Sequence, residues 1–538
     1  MQLKFDPLAY EYPSRRNVVY GKKGMVATGN PYAAQAGLAV LKQGGNAVDA
    51  AVAAAAALTV VEPTANGIGG DAFALVWTGG RLHGLNASGP APMAISLQAM
   101  QDKGYEKMPA MGVDTVDVPG APAAWAALSK RFGRLPLTQT LAPAIEYAAD
   151  GYVLQPGVGS IWQLGYNKFT KAAQDDPAYA GWVSTFAPDG KCRKTGDFIT
   201  LPDHARTLCE IAQTGAESFY RGALADRIDR YFREIGGWLR KEDLAAFQPE
   251  WVDPISTQYK GYDVWEIPPN GHGITVLMAL NILKGMALGG RDSFESTHYQ
   301  IEAMKLAFAD TQKYVADPRS MQVRVDELLD ETYAASRRAC ISETALLPEA
   351  GTPKKGGTVY LCTADGAGNM VSYIQSNYMG FGSGIVVPGT GIAMHNRGSN
   401  FSLDPASDNC IAGGKRPYHT IIPGFLTRDG QAVGPFGIMG GFMQPQAHLQ
   451  VMIDTIEYGM NPQEALDRPR WMWTGGKTIE VEQNFPNRLA KELQRAGHDI
   501  VVKADPVNFG RGEIIWRDAG GVLCGACEPR TDGTVATW

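Results

Sequence analysis

Apolar residues follow two different periods along the chain, and the change falls near residue 357. From about residue 30 to residue 330 they recur three and four positions apart, which predicts helices. The first window, 30–63, is interrupted at GGN and predicts two helices, with Asn30 as N-cap, Pro31 in the first turn and Gly44-Gly45 ending the first helix. Further helices are predicted at 119–131, 136–150, 205–216, 221–236, 273–286 and 296–316, and short strands at 72–78 and 262–266.

After residue 357 the alternation of β-strands takes over. TVYLCTAD and MVSYIQSNY are β-rich runs joined by GAGN, which predicts a hairpin. GIVV, GIAM, GFLTRDGQAVGPFG and TIEVEQN predict more strands, and helices return at 445–458 and 486–497. Strands with helices before and after them favour an α+β domain with stacked sheets and helices outside. A Gly-, Pro- and Lys-rich segment, 343–357, predicts an exposed spacer between the two halves.

Composition narrows the class of protein. The 538 residues include 45% hydrophobic and 19% charged positions, as in ordinary globular proteins. A net charge of -6 gives no basic surface for nucleic acid or anionic lipid, so a small molecule is the expected partner. The N-terminus does not resemble a signal peptide, and the Ala-rich run 47–61 is too short to span a bilayer. Seven cysteines in such a chain favour reduced thiols and a cytoplasmic location.

Several familiar motifs are absent or incomplete. NGIGGDAF, residues 66–73, lacks the full dinucleotide-binding glycine pattern and follows a helix, so it predicts a tight turn into a strand. CGAC, residues 524–527, has redox spacing but no βαβ context. The eight histidines show no zinc-ligand spacing, and neither a phosphate-binding loop nor a GxSxG nucleophile motif occurs. We expect no metal and no organic cofactor.

Thr358, in the stretch KKGGTVYLC, admits two interpretations. A threonine at the start of a strand is an ordinary β-former. It is also a nucleophile if the chain is cut before it, because its freed α-amino group, with a pKa near 8, then lies beside its own hydroxyl and takes its proton. The preceding Gly356-Gly357 would permit the backbone conformation that such a cut requires.

Segments along nearly the whole chain resemble the gamma-glutamyltranspeptidase family of N-terminal-nucleophile hydrolases. They include AAQAGLAVLKQGGNAVDAAVAAAAALTVVEPTANGIGGDAF, VPGAPAAWAALSKRFGRLPL, LAPAIEYAADGY, WEIPPNGHG, KLAFAD, GGTVYLCTADGAGNMVSY, FGSGIV, IMGG and EPRTDG, in the family's order. Each match is weak alone, and the ordered set favours the nucleophile interpretation of Thr358.

The resemblance implies a four-layer αββα sandwich and self-cleavage between Gly357 and Thr358. The products would be a large, mostly helical subunit, 1–357, and a small subunit, 358–538, intertwined in one unit. Gly440 and Gly441 match the family's oxyanion-hole glycines. Ser376 falls where the family places a hydroxyl that hydrogen-bonds the nucleophile, although a plain strand hydroxyl is an equal alternative.

The chain departs from the family where the glutamyl group is bound. ASGPAP, residues 87–92, lacks the arginine expected for the α-carboxylate. Asn400 replaces the acid expected for the α-amino group, and Arg397 replaces an amide three residues earlier. In KRPYHT, His419 and Thr420 replace paired serines expected after RP. In SNY, Tyr378 replaces an asparagine. Losing a carboxylate and gaining Arg397 and His419 favours a substrate with a carboxylate and no α-amino group.

The resemblance with these departures therefore implies an amidohydrolase acting on a small carboxylate-bearing amide, with oxamate as the leading candidate. The alternatives are a gamma-glutamyl hydrolase or transpeptidase acting on glutathione, and a glutaryl-type β-lactam acylase. An unprocessed, non-catalytic binding protein is the alternative from another class. Arg397 could instead pair with a local acid such as Asp404, and His419 could be structural.

Overall fold

Two seven-stranded antiparallel sheets lie face to face in the computed structural model, which describes residues 16–348 and 357–538. In sheet I the strands run in the order Thr534–Thr537, Gly24–Thr28, Gly357–Asp365, Met370–Tyr378, Asp71–Thr78, Arg81–Ala87 and Glu250–Val252. In sheet II the order is Val19–Gly21, Leu523–Cys527, Arg511–Arg517, Gln431–Met439, Gly424–Arg428, Tyr262–Glu266 and Ile255–Tyr259. Both sheets take strands from before and after residue 357.

Three apolar layers hold four structural layers together. Side chains such as Phe73, Tyr360 and Ile515 fill the space between the sheets. The outer face of sheet I packs on helices Pro31–Lys42, Ala47–Val61, Ala121–Phe132, Ala142–Asp150, Pro156–Asp175, Ala180–Phe186, Pro202–Thr214, Glu217–Tyr220 and Ala223–Glu234. The outer face of sheet II packs on Ile274–Leu283, Phe294–Tyr314, Val325–Leu328, Glu331–Arg338, Met443–Ile456, Pro462–Asp467 and Asn487–Arg495. The predicted four-layer αββα sandwich is confirmed.

Short elements complete the described chain. Helices Leu97–Asp102, Leu137–Thr140 and Lys241–Ala246 and four 3-10 turns join the larger helices. Small sheets pair Tyr152–Val153 with Phe198–Ile199, Val386–Val387 with Ile392–Ala393, and Trp471–Gly475 with Thr478–Glu482 and Asp499–Lys503. No helix in the described ranges combines the length and hydropathy that crossing a bilayer requires.

The local predictions with the strongest end signals are confirmed. Asn30 caps the first helix, because its side chain accepts a hydrogen bond from the Tyr32 N–H at 3.0 Å. The hairpin predicted at GAGN pairs Ala364 with Met370. NGIGGDAF leads into the strand Asp71–Thr78 as predicted. The CGAC cysteines are free and lie in one strand, where positions three apart face opposite sides of the sheet.

The 20-residue helix Pro156–Asp175 was not predicted from the sequence. Its buried face contains Gly159 and Gly165, which lower helix propensity and blur the apolar period. Gly165 is required by packing, since a Cβ there would approach the Phe381 ring to 2.5 Å. Of the predicted spacer 343–357, residues 349–356 lie outside the described residues.

Candidate active site

Thr358 is the second residue of the strand Gly357–Asp365, and its side chain is buried between the two sheets. It lies on the same strand face as Tyr360 and Cys362, which belong to the layer between the sheets. The Thr358 Oγ1 is 3.1 Å from the Ser376 Oγ on the neighbouring strand. The Ser376 Oγ also accepts a hydrogen bond from the Tyr378 N–H at 2.7 Å. The two predicted hydroxyls are therefore in contact.

The strand pairing is irregular beside the predicted cleavage site. Gly357 pairs with Tyr378, and the register shifts between Gly357 and Val359. Tyr378 has a φ of 75°, in the left-handed region that a bulky side chain disfavours. Such local strain concentrates at functional sites, and here it lies opposite the Gly357–Thr358 peptide.

Gly440 and Gly441 link the strand Gln431–Met439 to the helix Met443–Ile456. Their φ angles of 138° and 60° belong to the region that favours glycine. A Cβ on Gly437 would meet the Tyr360 ring at 2.3 Å, and one on Gly434 would meet the Met370 Cε at 3.1 Å. The strands Gly357–Asp365 and Gln431–Met439 thus run in opposite directions on the two facing sheets. The end of the second strand, with Gly440-Gly441, therefore lies near Thr358 at the start of the first. Peptide N–H groups at a helix N-terminus favour negative charge there.

Asp71 extends the row of polar side chains across a third strand of sheet I. It is the register partner of Ser376 and is fully buried. The Arg397 Nε and Nη2 donate to the two Asp71 carboxylate oxygens at 2.8 and 3.3 Å. The His419 Nε2 lies 2.8 Å from the same carboxylate. The acid beside Arg397 is therefore Asp71, and not the Asp404 considered from the sequence.

Thr420 and Tyr378, also predicted from the sequence, contact Arg397 as well. We call the five residues Asp71, Arg397, His419, Thr420 and Tyr378 the Asp71 cluster. The Arg397 Nη1 donates to the Thr420 Oγ1 at 2.7 Å. The guanidinium carbon lies 4.4 Å from the centre of the Tyr378 ring, a cation–π geometry. Asn400 lies beside the cluster, partly exposed, and donates to the Tyr418 carbonyl at 3.1 Å.

The cluster carries balanced charge at neutral pH. Burial opposes ionisation of Asp71, but Arg397 and His419 together hold the pKa of its carboxyl well below the usual range. Burial, and then the Arg397 charge, lower the pKa of His419 to about 4, so the imidazole is neutral. Nearby Asp117 is fully buried, and burial raises the pKa of its carboxyl well above the usual value. Asp71 and Arg397 therefore form one compensated ion pair among neutral groups.

A cavity of about 310 Å³ lies beside Gly440. We call it the Gly440 cavity; its described lining residues are Thr64, Ala65, Ile161, Leu164, Gly165, Lys168, Gly380, Phe381, Met439, Gly440, Met472, Val507, Asn508 and Arg511. The lining is mainly apolar, with Lys168 and Arg511 as its charged members. Residues from both sides of position 357 contribute to it.

One group of side chains has a metal-like composition at a distance from this site. His298, Glu302 and His498 are buried with their ligand atoms close together. The His298 Nδ1 and His498 Nε2 are 2.8 Å apart, and the Lys305 ammonium donates to the Glu302 carboxylate at 2.7 Å. These polar atoms are already paired with one another, and the Lys305 cation occupies the position next to the carboxylate.

Sequence reasoning missed Asp71, Lys168 and Arg511. Asp71 was present in the quoted turn NGIGGDAF, and an acid at the first position of an otherwise apolar strand was the available signal. Lys168 lies on the helix that was not predicted, and Arg511 lies far from any motif that the sequence offered. The proximity of Lys168 and Arg511 to Gly440 follows only from the packing.

The sequence profile of the gamma-glutamyltranspeptidase family matches residues 33–538. The chain is 35% identical to the glutathione hydrolase-like YwrD proenzyme of Bacillus subtilis, over 96% of this chain and 98% of that protein. It is 33% identical to the oxamate amidohydrolase proenzyme of Klebsiella pneumoniae, over 95% and 98%.

Among solved structures, the cephalosporin acylase from Bacillus halodurans matches with a TM-score of 0.95. The two chains are 59% identical, and the match covers 100% of this chain and 99% of that one. These relatives are hydrolases, two of them named as proenzymes, and they differ in the substrates that their names give.

Proposed function

Because this chain belongs to the gamma-glutamyltranspeptidase family, a family of N-terminal-nucleophile hydrolases, we propose that it is a self-processing amidohydrolase whose nucleophile is Thr358. The contact of 3.1 Å between the Thr358 and Ser376 hydroxyls, next to irregular strand pairing at Gly357, is the observation that carries this proposal. The large and small subunits would be residues 1–357 and 358–538.

In processing, the Thr358 Oγ attacks the Gly357 carbonyl carbon and forms an ester as the peptide C–N bond breaks. The nitrogen keeps its own proton, takes the one that the Thr358 hydroxyl loses, and becomes the α-amino group of Thr358. Water then hydrolyses the ester, which releases the Gly357 carboxylate and restores the Thr358 hydroxyl. Ser376 orients the attacking oxygen, because its hydroxyl lies within hydrogen-bond distance.

In turnover, the α-amino group takes the proton from the Thr358 Oγ as this oxygen attacks the substrate carbonyl. The peptide N–H groups of Gly440 and Gly441 stabilise the tetrahedral oxyanion. The amine product leaves with the proton that the α-ammonium returns to it. Water then attacks the acyl-threonine ester and releases the acid.

For the substrate, we propose a small amide with a free carboxylate, and oxamate is the first candidate. A guanidinium has five N–H donors, and Arg397 uses three of them in its bonds to Asp71 and Thr420. A carboxylate beside Tyr378 would meet the remaining donors. The compensated charge of the Asp71 cluster favours a compact anion over one that also carries an ammonium group.

An acylase of larger carboxylate-bearing amides is the second candidate. The Gly440 cavity is larger than oxamate requires, and the similar solved structure is that of a cephalosporin acylase. Glutathione hydrolysis is less well supported, because Asn400 offers an amide where a carboxylate would pair with the glutamyl ammonium. Seven free cysteines support our further proposal of a cytoplasmic location.

The test combines processing with substrate choice. Wild-type protein should separate into two bands on a denaturing gel, with the smaller one beginning TVYLC. Thr358→Ala should stay uncut and inactive, whereas Thr358→Ser, which keeps a hydroxyl, should still be cut. Rates on oxamate, glutathione and a glutaryl amide then rank the substrates. An uncut, inactive wild-type protein would favour the binding-protein alternative.

A further inference from the structure

We propose that the Gly440 cavity binds the amine leaving group of the substrate, and that this amine has an apolar, ring-sized body and an anionic end. The proposal rests on the proposed function and deepens its second candidate, the acylase of larger carboxylate-bearing amides, because oxamate releases only ammonia and has no amine body to bind. The acyl group of the amide would then lie toward the Asp71 cluster.

The position of the cavity relative to Thr358 supports this division. In sheet I, Asp71 lies two strands from Thr358, on the side where Trp77 stacks on Phe425 of sheet II at 5.9 Å. Arg511 lies on the sheet II strand at the opposite side of Gln431–Met439. Gly440, at the end of the strand Gln431–Met439, therefore lies between the Arg511 wall of the cavity and the Asp71 side of the sandwich. The two parts of an amide must extend to opposite sides of its carbonyl carbon.

The walls of the cavity suit an apolar body. Phe381, Met439 and Met472 form the inner surface, and methionine side chains adapt to irregular ring shapes. At the mouth, Leu164 and Val507 are 68% and 38% exposed, although large apolar side chains are usually buried. Exposed apolar residues that face a cavity are typical of ligand-binding sites.

The charged residues of the cavity suit an anion. Lys168 and Arg511 line it, and no acidic residue of the described chain is among its lining residues. Glu62 lies behind Arg511, with an oxygen 3.7 Å from the Arg511 Nη1. Burial raises the pKa of Glu62 to about 8, against the opposing effect of Arg511, so Glu62 is mostly protonated at neutral pH. The Arg511 charge is therefore not neutralised from behind.

Two buried polar atoms at the cavity also point to a ligand. The Thr64 Oγ1 and the Arg511 Nε have no hydrogen-bond partner among the described residues. Buried polar groups are nearly always paired, with protein atoms, with water or with a ligand. A carboxylate that reached Arg511 would supply the acceptor for its Nε.

The probe pair is 6-amino-2-naphthoate and 2-naphthylamine, two amines that differ in the carboxylate. Fluorescence titration of the purified full-length protein measures their binding, and their glutaryl amides measure kcat/KM. We expect the carboxylate to improve both quantities about tenfold or more, the usual gain from a charge-assisted hydrogen bond.

Three variants locate the effect. Arg511→Gln should remove most of the preference for the carboxylate, and Lys168→Met, on an exposed side chain that does not endanger folding, should reduce it about threefold. Lys171→Met is the matched control, because Lys171 is exposed on the same helix and does not line the cavity. It should leave the preference unchanged.

The outcomes separate the two proposals. Equal binding of the two amines, or a preference that survives both cavity variants, would overturn the leaving-group site even if the amides are hydrolysed. Selective binding that the cavity variants abolish, without hydrolysis of any amide by the cut protein, would support the anion-binding cavity and overturn the proposed reaction.

Discussion

On one side of Thr358, the Asp71 cluster pairs nearly all of its polar atoms with one another inside the protein. On the other side, the Gly440 cavity is lined by two cationic side chains and by no acidic residue of the described chain. It also contains buried polar atoms that have no hydrogen-bond partner among the described residues. The first arrangement pre-forms a rigid, charge-compensated wall. The second leaves binding groups for a ligand. Selectivity for the acyl part and for the amine part of an amide would then rest on different physical principles.

The largest expected effect comes from breaking the ion pair of the Asp71 cluster. Asp71→Asn leaves the buried Arg397 without a counter-ion, which should cost about 3–5 kcal/mol of unfolding free energy and abolish turnover. Urea unfolding and activity assays measure the two effects. The double variant Asp71→Asn/Arg397→Gln removes both charges and should recover part of the stability. A double variant no more stable than Asp71→Asn would contradict the pairing argument.

Between the two sides, Gly440 should contribute to catalysis more than to stability. Gly440→Ala forces a side chain into a φ of 138° beside Gly510 and should displace the oxyanion donors, lowering kcat by about 100-fold or more. Gly430→Ala is the control for backbone strain alone, because Gly430 also has a positive φ, of 69°, but faces open space. Equal kcat in the two variants would argue against the oxyanion role.

Raising the pH from 7 to 9 should weaken anion binding in the Gly440 cavity and leave the charges of the Asp71 cluster unchanged. Above about pH 8 Glu62 ionises and pairs with Arg511, so binding of 6-amino-2-naphthoate should weaken several-fold. Glu62→Gln should remove this contribution to the pH dependence and leave only that of Lys168, the pKa of which is lowered by burial. The Asp71 cluster contributes no titration in that range, since the pKa of Asp71 is far below it and that of His419 is about 4.

The raised pKa of Glu62 also sets the direction in which the unfolding free energy changes with pH. This pKa is raised on folding from 4.5 to about 8, so the folded chain binds the proton more tightly than the unfolded chain does. The unfolding free energy should therefore fall as the pH rises from about 4.5 to 8, and this contribution should level off above 8. Wild-type and Glu62→Gln protein, unfolded in urea at several pH values, should differ in that slope.

The smallest effect concerns the wall of the cavity. The Asp532 carboxylate accepts hydrogen bonds from the Gly157 and Val158 N–H groups at the start of the helix that carries Leu164 and Lys168. Asp532→Ala should cost about 1 kcal/mol and raise KM for bulky amides with little change in kcat. Asp330→Ala removes a comparable cap from the distant helix Glu331–Arg338 and should lower stability without changing KM.

Local signals made much of the fold predictable. Asn30, Pro31 and the Gly44-Gly45 pair delimit a helix through their own backbone preferences, and GAGN fixes a hairpin between two alternating runs. The helix Pro156–Asp175 was missed because its glycines serve close packing against Phe381, a contact more than 200 positions away in sequence. A local rule counts such a glycine against a helix, although the tertiary contact requires it.

The sequence by itself identified Thr358, Ser376, Gly440 and Gly441 as candidates, together with the substitutions at Arg397 and His419. These positions stand in segments that resemble a known family in their order along the chain, so the sequence alone was enough to find them. Only the tertiary structure decided what surrounds them. Asp71, and not Asp404, pairs with Arg397, and Lys168 and Arg511 both line the Gly440 cavity. The reason is physical: electrostatic pairing and burial depend on distances in space, and the stacking of the two sheets sets those distances between residues that lie hundreds of positions apart.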